Sequence, residues 1–246
     1  PILVNLDEFH PSMADIHDAL GHLHRSNGEA EQAMIHYNQA KAIRKKLLGE
    51  TDPEVLLTDF YLGQVLQSRY KSESALEIYT QYITVRINNH GENHNDVADC
   101  YGYMAQTLKD LANLDKALEY SRKAIKIKTN LFGKKHVDLA WMFRTKGDIY
   151  YEMGRFDKAA KNYEDSLKVF LNTFGEKYIE AASIYNRLGN AYKKYGKKKD
   201  ALSSYEKALV IIGGIVSPDH PYKEGVINNL QVLSEDANEN AKLYFF

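Results

Sequence analysis

Apolar residues recur along this chain with the spacing of paired amphipathic helices. Within 138–174, two stretches place apolar side chains every three or four positions, the first over about 138–153 and the second over about 156–174. Each stretch is long enough for a helix of roughly four turns. Gly154 and Arg155 mark a short turn between them. The pattern therefore predicts a hairpin of two helices.

The same pattern returns every 42 residues. The phrase GENHNDVA at 91–98 is echoed by GKKHVDLA at 133–140. The positions equivalent to His94 hold His10, Asp52, His136, Tyr178 and His220. Proline follows this position at Pro11, Pro53 and Pro221, and glycine precedes it at Gly49, Gly91, Gly133 and Gly175, with Ser217 in the last row. Proline can open a helix without losing a hydrogen bond, and glycine can supply a left-handed cap, so the phrase separates one helix from the next.

Small and aromatic residues alternate at fixed places within each repeat. The first helix carries a small residue at Gly21, Gly63, Ala105, Gly147 and Gly189. The second helix carries Ala33, Ala75, Ala117, Ala159 and Ala201, followed four residues later by Tyr37, Tyr79, Ser121, Tyr163 and Tyr205. Large beside small at constant offsets is what closely packed helix pairs require. The third row departs from the pattern at Ala105 and Ser121.

The fifth row carries the whole pattern: Tyr185, Leu188, Gly189, Tyr192, Ala201, Tyr205 and Ala208. It resembles the tetratricopeptide repeat (TPR), and the longer period with its G-x-x-H-x-x-V/L-A opening resembles the kinesin light chain type. The resemblance implies an all-α, right-handed α-solenoid in which 1–246 form a single domain. Its repeats would be 10–51, 52–93, 94–135, 136–177, 178–219 and a partial 220–246. Since both ends cut into a repeat, we expect a fragment of a longer protein.

The resemblance also implies a binding surface, because the first helices of such arrays line their concave side. The residues predicted to contact a peptide there are Phe60, Tyr61, Gln64, Tyr103, Gln106, Trp141, Arg144, Asn186, Arg187, Asn190, Lys193, Asn228 and Asn229. The same face carries Asp15, Asp18, His22, Leu57, Asp99 and Asp148. Kinesin light chain repeats hold tryptophan-acidic peptides with paired asparagines. Asn228-Asn229 matches that pair, and Asn186-Arg187 matches half of it.

The chemistry of these side chains suits an extended acidic peptide. Asparagine offers both a donor and an acceptor to a peptide backbone. Arg144 and Arg187 can each hold a carboxylate by two hydrogen bonds, and Trp141 and Tyr103 can flank an apolar side chain. The alternative is that the aromatic residues, Phe60 among them, pack between helices and that the polar residues are merely solvated.

Charge favours an acidic partner. The chain has a net charge of −1, but residues 109–210 carry +9 and the remainder −10. The positive stretch includes KKYGKKKD at 193–200, which lies at a predicted helix junction. Solvated helix faces are the alternative explanation. Nucleic-acid binding is the least favoured hypothesis, because aromatic residues that could stack on bases are scarce beside these lysines.

Several other classes of function find little support. No apolar run reaches the ~20 residues of a membrane span. The lone Cys100 permits no internal disulfide, which fits a reducing, cytoplasmic compartment. His17, His22 and His24 lack the spacing of helical metal ligands, and neither a nucleophile set nor a phosphate-binding loop is present. We therefore expect no enzyme, no metal and no cofactor.

The sequence thus predicts a protein-binding adaptor that takes a peptide in its concave groove. The alternative is a structural scaffold that docks whole subunits of a large, cytoskeletal or motor-associated assembly. Neither hypothesis fixes the oligomeric state.

Overall fold

The computed structural model describes residues 10–175, 178–213 and 224–231, and all regular structure in these ranges is α-helical. The helices are α1 (Pro11–Ser26), α2 (Ala30–Leu48), α3 (Pro53–Ser68), α4 (Ser72–His90), α5 (Asn95–Asp110), α6 (Leu114–Phe132), α7 (Asp138–Glu152), α8 (Phe156–Phe174), α9 (Ile179–Lys194) and α10 (Lys198–Gly213). Residues 224–231 are also helical. The chain divides into two compact units, Pro1–Ile127 and Lys128–Phe246, and each is described by itself.

Helix boundaries follow the 42-residue repeat. The first helix of a hairpin begins directly after His10, Asp52, His94 and Tyr178, and α7 begins two residues after His136. The hairpin predicted for 138–174 is α7 and α8, so that prediction is confirmed. Ser217, His220, Pro221 and both terminal segments lie outside the described residues. The right-handed coiling and the single domain stay predictions.

The repeated histidine caps the first helix. Nδ1 of His10 accepts a hydrogen bond from the Ser12 amide at 3.2 Å, and Nδ1 of His94 accepts one from the Asp96 amide at 3.2 Å. Asp52 does the same for the Glu54 amide at 2.9 Å. Each cap satisfies one of the backbone donors that a helix start leaves without an intrahelical partner.

The glycines that end the second helices differ in one respect from the prediction. Gly49, Gly91 and Gly175 have φ of 93°, 79° and 78°, which side chains disfavour. Their ψ values of 163°, 169° and −175° are extended, whereas a left-handed cap needs ψ near +47°. The prediction of a left-handed cap is therefore confirmed for the positive φ and wrong for ψ. The extended ψ directs the chain away from the finished helix.

Within each unit, consecutive helices pack through the small and aromatic positions. α1 to α5 contact one another in sequence in the first unit, as do α7 to α10 in the second. A Cβ added to Gly21 would lie 2.5 Å from Tyr37 Cε1, and one on Gly147 would lie 2.6 Å from Tyr163 Cε1. The glycines therefore let buried tyrosine rings lie directly on the helix backbone, which confirms the predicted close packing.

A buried cation recurs on the second helices, and the sequence analysis missed it. Arg44, Arg86 and Lys128 are 42 residues apart, and each is less than 10% exposed. Arg44 pairs with Asp18, and Lys128 pairs with Asp138. Buried charges require such partners, because transferring an unpaired charge from water to the protein interior costs several kcal/mol. These ion pairs belong to the core and not to a surface.

Candidate peptide-binding site

The predicted contact residues of the first unit form an aromatic cluster on α3 and α5. Phe60 is only 6% exposed, and its ring centroid lies 4.7 Å from that of Tyr82 and 5.4 Å from that of Tyr103. Phe60 therefore supports the surface from beneath and presents no ring to a partner. For this residue the packing alternative is correct.

Other members of the cluster are partly exposed. The Tyr61 ring meets the His22 ring edge-on, with centroids 4.4 Å apart. Tyr103 and Gln106 lie on α5 with intermediate exposure. The amide oxygen of Gln64 is buried and has no hydrogen-bond partner among the described residues. The first unit thus offers Tyr61 and Tyr103 as aromatic surface.

In the second unit, α7 places Trp141, Arg144 and Asp148 on one face, because residues three, four and seven apart lie above one another on a helix. All three are partly exposed. Asp148 Oδ1 accepts hydrogen bonds from the Tyr163 hydroxyl at 2.7 Å and from Arg187 Nη1 at 2.8 Å. The Asp148 carboxylate is therefore the contact that joins α7, α8 and α9 here.

Two guanidinium groups lie near this carboxylate, but only that of Arg187 is paired with it directly, and the charge of Glu180 also acts on Arg144. Burial lowers the pKa of Arg144, the nearby Asp148 raises it, and the charge of Arg187 lowers it again. Among the described residues, Arg144 makes no ion pair within 4 Å, and the buried Nε–H of Arg187 has no hydrogen-bond partner. A guanidinium carries five N–H donors. The arrangement therefore leaves guanidinium donors unused among the described residues.

Asparagine amides extend the same face along α9. Asn229 Nδ2 donates to Asn186 Oδ1 at 3.2 Å, linking α9 to the helical residues 224–231. Among the described residues, both N–H donors of Asn186 and the carbonyl oxygen of Asn229 remain available. Asn190 Oδ1 accepts the hydroxyl of Tyr205 at 2.8 Å. Burial raises the pKa of Tyr205 to about 12, so this tyrosine stays a donor.

The remaining predicted residues also lie on or beside this face. Lys193 is partly exposed in the last turn of α9, seven residues after Asn186. Asn228 is exposed. We name Trp141, Arg144, Asp148, Asn186, Arg187, Asn190, Lys193 and Asn229 the α7–α9 face.

Asp148 was predicted to lie on this face, but its two hydrogen bonds were not predicted. A signal was present, because a tyrosine hydroxyl pairs with the residue 15 positions earlier in three hairpins. The pairs are Tyr37 with His22, Tyr163 with Asp148, and Tyr205 with Asn190. Reading that fixed spacing would have identified Asp148 as an internal acceptor.

Other chemistry is weakly supported by the geometry. Within the described ranges, no three His, Cys, Asp or Glu side chains converge as metal ligands would. Cys100 is fully buried, and burial raises the pKa of its thiol, which disfavours the reactive thiolate. No helix in the same ranges is long and apolar enough to cross a bilayer.

Comparison with known families agrees with this geometry. The sequence profile of the tetratricopeptide repeat family matches residues 12–88, 96–172 and 138–211. The chain therefore belongs to the tetratricopeptide repeat family, whose repeats form protein–protein interaction modules. A comparison with curated protein sequences finds no significant match.

Solved structures show the same fold at low sequence identity. BtubC (BKLC) from P. vanneervenii is 18% identical with a TM-score of 0.67, over 92% of this chain and 84% of that one. A Podosopora anserina protein described as a kinesin light chain with nearly identical TPR-like repeats is 18% identical with a TM-score of 0.66, over 85% and 99%. MamA protein is 18% identical with a TM-score of 0.53, over 86% and 98%. The fold is thus that of kinesin light chain-like TPR proteins, as predicted.

Proposed function

We propose that this protein is an adaptor that binds an extended, acidic segment of a partner on the α7–α9 face. The observation that carries the proposal is that Arg144 lies beside Arg187 on this face without a direct ion pair among the described residues, while Arg187 already pairs with Asp148 at 2.8 Å. A carboxylate supplied by a partner would give Arg144 the direct ion pair that it lacks among the described residues. Because both guanidinium groups are partly withdrawn from water, their attraction to an anion is stronger than that of exposed charges.

The amide groups supply the second element of recognition. An extended peptide presents alternating N–H and C=O groups along its backbone. Asn186 and Asn229 hold each other in place and leave donors on one and an acceptor on the other. They can therefore contact a backbone whatever its side chains, while the arginines select for acidic residues.

Trp141 supplies apolar surface beside the arginines, and aromatic anchors of this kind often dominate binding energy. Micromolar affinity requires ~8 kcal/mol, which a few such contacts can provide. The single thiol, Cys100, fits a reducing compartment, and on that basis we assign the adaptor to the cytoplasm.

The test compares two labelled peptides by fluorescence polarisation, one with a tryptophan flanked by glutamates and one with glutamines in their place. Arg144→Gln should weaken binding of the glutamate peptide about tenfold, since charge-assisted hydrogen bonds contribute ~1.5–3 kcal/mol. Binding of the glutamine peptide should change little. Asn186→Ala should weaken both peptides, because it removes backbone contacts.

Arg155→Gln is the matched control, because Arg155 is exposed, precedes α8 and lies outside the α7–α9 face. Equal affinity of the wild-type protein for the two peptides would remove the acidic preference. If neither peptide bound at all, the scaffold hypothesis would replace the adaptor, and partners would then be sought as whole subunits.

A further inference from the structure

A cavity lies within the second unit, Lys128–Phe246, between α7, α8 and the turn that precedes α7. Its volume is about 450 Å³, within the usual range of ligand pockets. Its apolar surface comes from the partly exposed Phe143 on α7, which is backed by the buried Leu139 on α7 and Val169 on α8. Its remaining lining residues are Thr129, Lys134, Lys135, Asp165, Lys168 and Asn172. We call it the lysine-rimmed pocket.

The pocket is separate from the α7–α9 face. Leu139 lies two positions before Trp141 on α7, which is about 200° around a helix of 100° per residue. Phe143 points to the side of Leu139, and Arg144 to the side of Trp141, by the same geometry. The two sites therefore occupy opposite sides of α7.

The charge at the rim is one-sided. Lys134, Lys135 and Lys168 are exposed, and none makes an ion pair within 4 Å among the residues that the structure describes. Asp165 is the one acidic residue in the lining, and its carboxylate already pairs with Lys161 at 3.3 Å. The rim thus combines three ammonium groups with a carboxylate that is already engaged.

We propose that the lysine-rimmed pocket binds a small organic anion that has an aromatic or aliphatic body. The apolar body would contact the partly exposed Phe143 ring and the methylene chains of the lysines, and the acidic group would meet the lysine ammonium groups. Thr129 and Asn172 offer neutral hydrogen-bonding groups at the same rim. Apolar walls with a few convergent polar groups are the usual composition of small-molecule sites.

Two fluorescent probes that differ in one charged group test this proposal. 1-Anilinonaphthalene-8-sulfonate carries a sulfonate, and N-phenyl-1-naphthylamine has the same ring systems without charge. The double variant Lys134→Gln/Lys168→Gln should weaken the anionic probe about tenfold, equivalent to ~1.4 kcal/mol. It should leave the neutral probe unchanged. Phe143→Ala should weaken both probes, since it removes part of the shared apolar wall.

Lys199→Gln is the matched control, because Lys199 is an exposed lysine of α10 outside the pocket. The proposal fails if the double variant binds the anionic probe as tightly as wild type, or if Lys199→Gln weakens it equally. It also fails if Phe143→Ala alters neither probe. Each variant is first checked for unchanged helical circular dichroism and unfolding temperature, because loosened proteins bind such dyes nonspecifically.

Discussion

Replacing one helix glycine by alanine should have opposite effects depending on the residue 16 positions later. In the fourth repeat, a Cβ on Gly147 would lie 2.6 Å from Cε1 and 2.7 Å from Cδ1 of Tyr163. The Tyr163 ring cannot easily retreat, since it is buried and its hydroxyl is bonded to Asp148 at 2.7 Å. The third repeat has Ala105 and Ser121 at these two positions, so the Ala105 methyl group takes the space that a tyrosine ring fills in the other repeats.

These contacts set the expected magnitudes. Gly147→Ala forces an overpacked contact, which costs ~1–3 kcal/mol, and gains ~1 kcal/mol of helix propensity. Because the ring is anchored at both ends, we expect a net loss of about 2 kcal/mol. In a Tyr163→Ser background the ring is absent, so the same substitution should stabilise by about 1 kcal/mol. The coupling energy between the two sites is then about 3 kcal/mol.

A double-mutant cycle measured by urea unfolding and circular dichroism checks this prediction. Unequal m-values among the four proteins would show that the repeats unfold separately, and amide hydrogen exchange on α7 and α8 would then report the local free energies. The control is Ala105→Gly in the third repeat, which should destabilise the protein, because that repeat has no tyrosine ring to fill the space left by the methyl group. The reasoning is refuted if Gly147→Ala costs the same with tyrosine and with serine at 163.

Three further predictions concern stability. Tyr70→Gly should stabilise the protein by about 1 kcal/mol in thermal unfolding, because Tyr70 is 95% exposed and has a φ of 59°, which glycine adopts without strain. A loss of stability would contradict this prediction. Asp138→Ala should lower the free energy of unfolding in urea by about 3 kcal/mol, because Lys128 is 1% exposed and loses its carboxylate partner. The double variant Asp138→Ala/Lys128→Met should recover most of that loss. Burial and the His36 imidazole lower the pKa of His17, whose Nδ1 lies 3.1 Å from Nδ1 of His36. The free energy of unfolding should therefore fall as the pH drops below about 6.5, because the unfolded chain then binds a proton that the folded chain disfavours. His17→Gln should reduce this pH dependence, and an unchanged profile of unfolding free energy against pH would refute the prediction.

Sequence periodicity predicted the hairpins well because their boundaries depend on local chemistry. A proline at a first helical position and a glycine after a last turn act on their own segment, so Pro53 and Gly91 fix boundaries without knowledge of the tertiary structure. Phe60 was harder to interpret, because exposure on a first helix depends on which neighbours cover it. Tyr82 and Tyr103 cover Phe60 from α4 and α5, and no local pattern specifies that contact.

The interior ion pairs were missed for the same physical reason. Arg44, Arg86 and Lys128 look like ordinary solvated residues when the sequence is read locally. Their burial follows from stacking against the next elements, and their repetition every 42 residues was the available clue. Phe170 and Ile212 fill the equivalent positions of the later repeats, which shows that an apolar side chain can serve there as well. The cation is therefore one of two solutions to the same packing space.

The residue that follows the small packing position of each first helix connects the core to the surface. These residues are His22, Gln64, Gln106, Asp148 and Asn190. His22, Asp148 and Asn190 each pair with a buried tyrosine hydroxyl, whereas Tyr79 of the second repeat bonds to Gln67 and the third repeat has Ser121 in place of the tyrosine. A buried tyrosine hydroxyl needs an acceptor, and an imidazole, a carboxylate or an amide can each provide one. The choice leaves the core satisfied but changes the charge that the same residue presents outside. Only at Asp148 is the acceptor that a tyrosine uses here an anion, and there it also binds Arg187. The negative charge that Asp148 adds to the α7–α9 face thus follows from how the fourth repeat supplies an acceptor for its tyrosine. We expect Asp148→Asn to alter the proposed binding while it preserves the packing.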